Sequence, residues 1–151
     1  MLSQNDFYHG VLLTKLLDYQ ELHIEKHTYP SAYVINSKAY YVKFCKNRIS
    51  PWPFSFSESN IQELINLSLE FNNVYIALVC NEDGICCISY PEFRTLIAIE
   101  SGCFPKWIKT TRQKREKYLV TGSDGKLSYK IGENSLKSSI DNIVNNITEL
   151  A

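Results

Sequence analysis

The 151-residue chain is most easily read first through what it lacks. No apolar run approaches the ~18 residues of a membrane-spanning helix, so no membrane partner is expected. Met1-Leu2-Ser3-Gln4-Asn5-Asp6 has neither the basic start nor the apolar stretch of a secretory leader, so a cytoplasmic location is expected. The sequons at Asn66 and Asn146 carry no weight on that route. The five cysteines, Cys45, Cys80, Cys86, Cys87 and Cys103, are odd in number and form no Cys-x-x-Cys pair. That argues against disulfides, metal ligation and redox chemistry. Cys80, Cys86 and Cys87 sit among Val, Ile and Leu, where a thiol acts as a small core hydrophobe. No stretch looks like a linker, a repeat or a low-complexity tract. Net charge is absent too: 16 Lys+Arg stand against 16 Asp+Glu.

What is present suits one globular domain over residues 1–151. Hydrophobic content is 44% and aromatic content 13%, which excludes a disordered or fibrous chain. A domain of this size buries roughly two-thirds of its unfolded surface and needs no cross-links.

Periodicity divides the chain into elements. Ser3 or Asp6 can cap a first helix in which Val11, Leu12, Leu16 and Tyr19 recur at helical spacing. Leu22–Thr28 alternates as a half-buried strand does. Ala32–Ile35 and Ala39–Cys45, joined by Asn36-Ser37-Lys38, make a hairpin. Ser50-Pro51-Trp52-Pro53 is not helical, because each proline fixes its own backbone and disfavours helix in the residue before it. The Phe54–Phe56 alternation suits a hydrophobic edge leading into a helix. That helix starts at Ser57, a good N-cap, and carries Ile61, Leu64, Ile65 and Ser68 on one face. Val74–Cys80 is an apolar, β-branched run expected at the centre of a sheet. Asn81-Glu82-Asp83-Gly84 turns it into Ile85–Ser89, and Tyr90-Pro91-Glu92 opens a short helix through Ile99. Trp107–Thr111, Lys117–Thr121 and Lys126–Ile131 are expected strands. Ile140, Ile143, Val144, Ile147 and Leu150 mark an amphipathic C-terminal helix. The expected class is α/β (α+β): a mixed central sheet flanked by helices, with a C-terminal β-hairpin and helix.

Between Leu22 and Leu96 the order of elements resembles a known family. The run Tyr29-Pro30-Ser31-Ala32-Tyr33-Val34-Ile35-Asn36-Ser37-Lys38-Ala39-Tyr40-Tyr41-Val42-Lys43 is similar to the core hairpin of the PD-(D/E)XK nuclease superfamily. Its layout is closest to the archaeal Holliday-junction resolvases and the tRNA-splicing endonuclease catalytic domain. The resemblance implies a nuclease-like core over residues 22–96, followed by a basic hairpin and helix over 104–151. In that pattern a Pro-Asp opens one strand and an acidic-x-Lys closes the next. Here the Asp position falls on Ser31 and the acidic position on Tyr41, and only Lys43 keeps its expected type. Family chemistry needs carboxylates converging on a hard divalent cation. A serine hydroxyl and a phenol with a pKa near ~10 do not supply that charge. Glu63 and Glu70 on the following helix read first as solvated, with Glu63 as the candidate for a migrated carboxylate. No metal site and no cofactor are therefore expected, with Mg²⁺ entering only if carboxylates have migrated.

The zero charge is a cancellation between regions. Lys38–Arg48 carries Lys38, Lys43, Lys46 and Arg48 and no acid. Lys106–Lys130 carries eight basic residues against Glu116 and Asp124, and the rest of the chain is acidic. Such segregation leaves a local positive field that phosphate binding can use. Lys43, Lys46, Arg48, Arg112, Lys114 and Arg115 are the candidate phosphate contacts, and Trp52, in its proline-rich loop, the candidate base-stacking ring. The bland alternatives are solvated strand edges for the cations and core packing for the ring. His23 and His27, four apart on a strand, are roughly 13 Å apart and do not chelate one ion. His9 reads as a packing or surface residue.

The leading expectation is a DNA- or RNA-binding domain of nuclease-like fold that lacks metal-dependent cleavage. A protein-interaction module, with a protein partner or as a homodimer, is the alternative. An active nuclease with relocated carboxylates is a third.

Overall fold

At Asn36 and Ser37 the backbone enters the left-handed region, with φ of 49° and 69°. Two such residues in a row form the tight turn whose twist matches paired strands. The turn joins β2 (Ala32–Ile35) to β3 (Lys38–Cys45) in the expected hairpin, with Tyr33 opposite Tyr40. The computed structural model describes residues 3–16, 22–100 and 102–141.

Before the hairpin lie α1 (Gln4–Leu16) and β1 (Ile24–Lys26). Ser3 and Asp6 cap α1 reciprocally, Asp6 N donating to Ser3 Oγ and Ser3 N to Asp6 Oδ2. This helix buries Tyr8 and Leu12, while Val11 is exposed; Tyr19 lies outside the described residues. The buried stripe is thus rotated from the expected one.

After β3 come β4 (Trp52–Phe56), α2 (Glu58–Glu70), β5 (Val74–Cys80), β6 (Ile85–Ser89) and α3 (Tyr90–Leu96). β7 (Lys106–Thr111) and β8 (Leu119–Gly122) follow, and a last helix, α4, is described over 135–141. Ser57 caps α2 in a reciprocal box with Asn60, and Ser89 caps α3 with Glu92. The segment 126–131, expected as a strand, makes only the isolated bridges Thr121–Lys126 and Tyr118–Ile131. Of the apolar stripe expected on the C-terminal helix, Ile140 is buried and the later positions fall outside the described residues.

The strands form two sheets. The larger has the order β1-β2-β3-β5-β6, with β3 and β5 parallel and all other neighbours antiparallel. β5 is internal, as its unbroken apolar run requires. The smaller sheet is antiparallel, β4-β7-β8. Pro53 fits there because β4 is an edge strand and loses no ladder bond on its open side.

Strand parity divides β3 between two cores. Ala39, Tyr41 and Cys45 pack with Leu64 and Leu67 of α2, Phe93 of α3, and Phe54, Phe56, Ile108 and Val120 of the small sheet. Tyr40 and Val42 point the other way, into a core with Tyr8 and Leu12 of α1 and Leu136 and Ile140 of α4. A close approach seals the first core. A Cβ at Gly122 would run into the Leu96 carbonyl, and one at Gly125 into that of Thr95, so only glycine lets α3 lie against this turn. Cys45, Cys80, Cys86 and Cys87 are buried and free. Burial pushes the Cys80 and Cys87 thiols up to about 12, which leaves them unreactive at neutral pH. Among the described residues no helix is long and apolar enough to cross a membrane.

Candidate nucleic-acid interface

The polar cluster around Lys43 is set by two local devices. β3 alternation puts Tyr41 and Lys43 on the α2 side, and the Ser57 cap places Asn60 in the first turn of α2. A relay of hydrogen bonds results. Lys43 Nζ donates to Asn60 Oδ1 (3.2 Å), Asn60 Nδ2 donates to Tyr41 Oη (3.1 Å), and Tyr41 Oη donates to Glu63 Oε1 (2.7 Å). The Ser31 hydroxyl also bonds that phenol. Lys43 Nζ sits 5.1 Å from the centre of the Phe56 ring. Burial lowers the Lys43 pKa, and the Glu63 charge pulls it partly back. The Tyr41 phenol is raised well above its usual value by burial first, then by its bond to Glu63, and stays protonated.

Glu63 is therefore half-buried and engaged, not the solvated helix-face residue expected of it. Glu70 is the exposed one, paired with His27 at 3.1 Å. His23 pairs separately with Glu25, and His9 Nδ1 meets Tyr33 Oη at 2.7 Å. Ser31 bonds the Tyr41 phenol, and that phenol is joined directly to Glu63 and through Asn60 to Lys43. As a Mg²⁺ site the set does not fit. It offers one carboxylate with an oxygen already bonded to a phenol, neutral oxygens besides, and an ammonium beside them, whereas the ion favours charged oxygen ligands. Among the described residues no group of three or more His, Cys, Asp or Glu side chains is placed to share an ion.

The expected phosphate contacts separate into two kinds. Lys46, Arg48, Lys114 and Arg115 are exposed. Lys46 and Arg48 lie in the loop after β3, and Lys114 and Arg115 in the turn after β7. The Arg112 N–H donates to Ser50 Oγ (3.2 Å), which joins the two segments, and Asn81 Nδ2 donates to the Lys46 carbonyl (2.8 Å). Both basic stretches thus reach one end of the molecule.

Arg112 itself is not a free cation. It is buried, with Nε donating to Asp83 Oδ2 (2.6 Å) and Nη2 donating to the Asp83 carbonyl (2.9 Å) and to Glu133 Oε1 (3.3 Å). Its guanidinium lies 4.3 Å from the centre of the Tyr118 ring. It ties the 81–84 turn to the small sheet. Trp52 is likewise corrected: it is 2% exposed, and its indole N–H donates to the Asn47 carbonyl (2.8 Å). The in–out alternation of β4 turns its ring inward with Phe54 and Phe56, so it presents no face to a base. Lys106 is buried against Asp124 at 2.7 Å.

Lys38, counted in the first basic stretch, is also enclosed. It is 1% exposed, on the α1/α4 side of the sheet, and donates to the Ser139 carbonyl (2.8 Å) and weakly to Tyr75 Oη (3.5 Å). Among the described residues no carboxylate faces it, and burial brings its pKa down to about 8. Parity was the available signal: Lys38 shares a face with Tyr40 and Val42.

No family model matches the chain, and no curated protein or solved structure was found similar to it.

Proposed function

We propose that this is a nucleic-acid-binding domain of nuclease-like architecture that works without metal-dependent cleavage. The observation that carries the reading is the Ser50–Arg112 junction. It brings the exposed Lys46 and Arg48 to the same end as Lys114 and Arg115. Phosphates neutralised there release counterions, which favours binding despite the zero net charge. The antiparallel β1-β2-β3 order, the α2 connection and the parallel β5 support the nuclease-like layout. The single carboxylate at Lys43 supports binding over hydrolysis.

Anisotropy of labelled duplex and single-stranded oligonucleotides tests this across a salt series. Four phosphate contacts give a slope of log affinity against log salt of about −3.6 for duplex and about −2.8 for single strands. Alanine at Lys46, Arg48, Lys114 and Arg115 together removes the binding. Absence of binding at low salt, or binding indifferent to salt, would refute the proposal. Mg²⁺- or Mn²⁺-dependent cleavage lost in both Lys43→Ala and Glu63→Ala would replace it with the active-nuclease reading.

A protein-interaction module is the second reading. A cleft of about 880 Å³ between α1 and the 81–85 turn favours it, with Phe7 63% exposed at its rim.

A further inference from the structure

The outer face of the small sheet is built differently from the rest of the surface. The inward residues of its strands, among them Phe54, Phe56, Ile108 and Val120, are fully enclosed. The outward ones form cross-strand rows. Pro53 lies opposite Lys109 and Lys109 opposite Thr121; Ser55 lies opposite Trp107; Thr111 lies opposite Leu119. None of these residues is acidic. Trp107 is 43% exposed, and Lys109 Nζ lies 5.9 Å from the centre of its ring. The Trp107 N–H donates to Ser123 Oγ (2.7 Å) and its carbonyl accepts from the Ser123 N–H (3.0 Å), which fixes the strand on its β8 side, while β4 pairs along the other. The face runs toward the basic end: β4 begins just after Arg48, and β7 leads into the turn of Lys114 and Arg115.

We infer that this face is a platform for single-stranded nucleic acid, with Trp107 stacking on an unpaired base and Lys109 contacting the adjoining phosphate. The inference rests on the nucleic-acid reading above and adds to it the substrate form and the surface. Charge complementarity selects the occupant: a polyanion meets Lys109 on the face and Lys46, Arg48, Lys114 and Arg115 at its end, with no acid in the rows between. An aromatic ring on an open sheet stacks on a base only if that base is unpaired, which favours a single strand over a duplex. The alternation that buries Ile108 is what turns Trp107 and Lys109 outward.

The chain's two tryptophans give an internal control, because Trp52 is enclosed and Trp107 is not. Titration with a deoxythymidine oligomer, a uridine oligomer and a blunt DNA duplex is followed by both tryptophan emission and anisotropy. A single strand quenches the Trp107 part of the emission. Trp107→Ala abolishes the quench and weakens single-strand binding roughly 5- to 150-fold, with little change for duplex. Lys109 adds a fifth phosphate contact on a single strand, so the parent slope steepens to about −3.5 and Lys109→Ala returns it to about −2.8. The residual Trp52 emission reports that each variant is folded. The two oligomers distinguish DNA from RNA as the source of the strand. Single-strand affinity unchanged in Trp107→Ala, or duplex preferred with no quench, overturns this inference and leaves the broader proposal standing. No binding by any of the three probes overturns both.

Discussion

Lys38 gives the most discriminating test of the electrostatics. Its ammonium is enclosed between the sheet and α4, with a carbonyl and a phenol for partners and no carboxylate facing it among the described residues. With a pKa of about 8 folded, against the 10.5 of an ordinary lysine, the charged form is disfavoured by folding. The sign follows from proton counts: between these two values the unfolded chain holds more protons, so stability rises with pH across that window. At pH 7 the folded protein carries a penalty of about 3 kcal/mol from this shift, and near pH 10.5 less than about 0.5 kcal/mol. Lys38→Met keeps the chain length and removes the charge, while the Ser139 carbonyl loses a donor worth about 1 kcal/mol. The variant is therefore more stable than the parent by about 2 kcal/mol at neutral pH, and slightly less stable near the top of the window. Urea denaturation under reducing conditions, followed by circular dichroism from neutral pH upward, measures this. The difference between variant and parent is the quantity to plot. The Cys80 and Cys87 thiols, raised by burial, impose an opposite trend above pH ~9 that cancels in the subtraction except for the interaction between Cys87 and Lys38. A difference that stays flat across the window, or a variant less stable at every pH, would refute the argument.

Two further outcomes are expected. Arg112→Ala takes the cation from Asp83, leaving it the Tyr118 hydroxyl (2.8 Å) alone, and removes a tie between the 81–84 turn and the small sheet. It costs about 3 kcal/mol in urea denaturation, and because the Arg112 side chain is only 4% exposed, the nucleic-acid salt slope stays as in the parent; a lowered slope with unchanged stability would make it a phosphate contact instead. Ser57→Ala removes the α2 cap and costs about 1 kcal/mol, read from thermal unfolding; no loss would mean that Asn60 holds the helix start through other bonds.

Much of the fold was legible because its signals are local. β2, β5 and β6 have the expected bounds, since runs such as Val74–Cys80 and turns such as Asn36-Ser37 dictate structure within a few residues. β4 is different. Two prolines mask a strand that exists only because β7 arrives to pair with it, and the same pairing turns Trp52 inward. The 126–131 segment shows the converse, an alternating stretch whose ladder is reduced to two bridges. At the candidate interface, a count of cations could not separate Lys46 and Arg48, which are exposed, from Lys38, Lys106 and Arg112, which are enclosed. That distinction depends on strand parity and on where Asp83, Asp124 and Ser139 come to lie. Asn60 was the least visible of the site residues, because its bridging role requires the helix cap and β3 to meet.

The place of β4 in the chain has a consequence for how the molecule is made. It lies between β3 and α2, yet its hydrogen-bonding partner is β7, with Trp52 opposite Thr110. On a ribosome, β1 to β3 and β5 can associate while Phe54 and Phe56 still lack the strand that holds them in place. Closure of the first core waits for residues 106–122, so a chain ending after α3 exposes a short aromatic edge. Long-range pairing of this kind slows folding. Late capture of β4 is then the step at which nascent chains are most open to misassembly with one another.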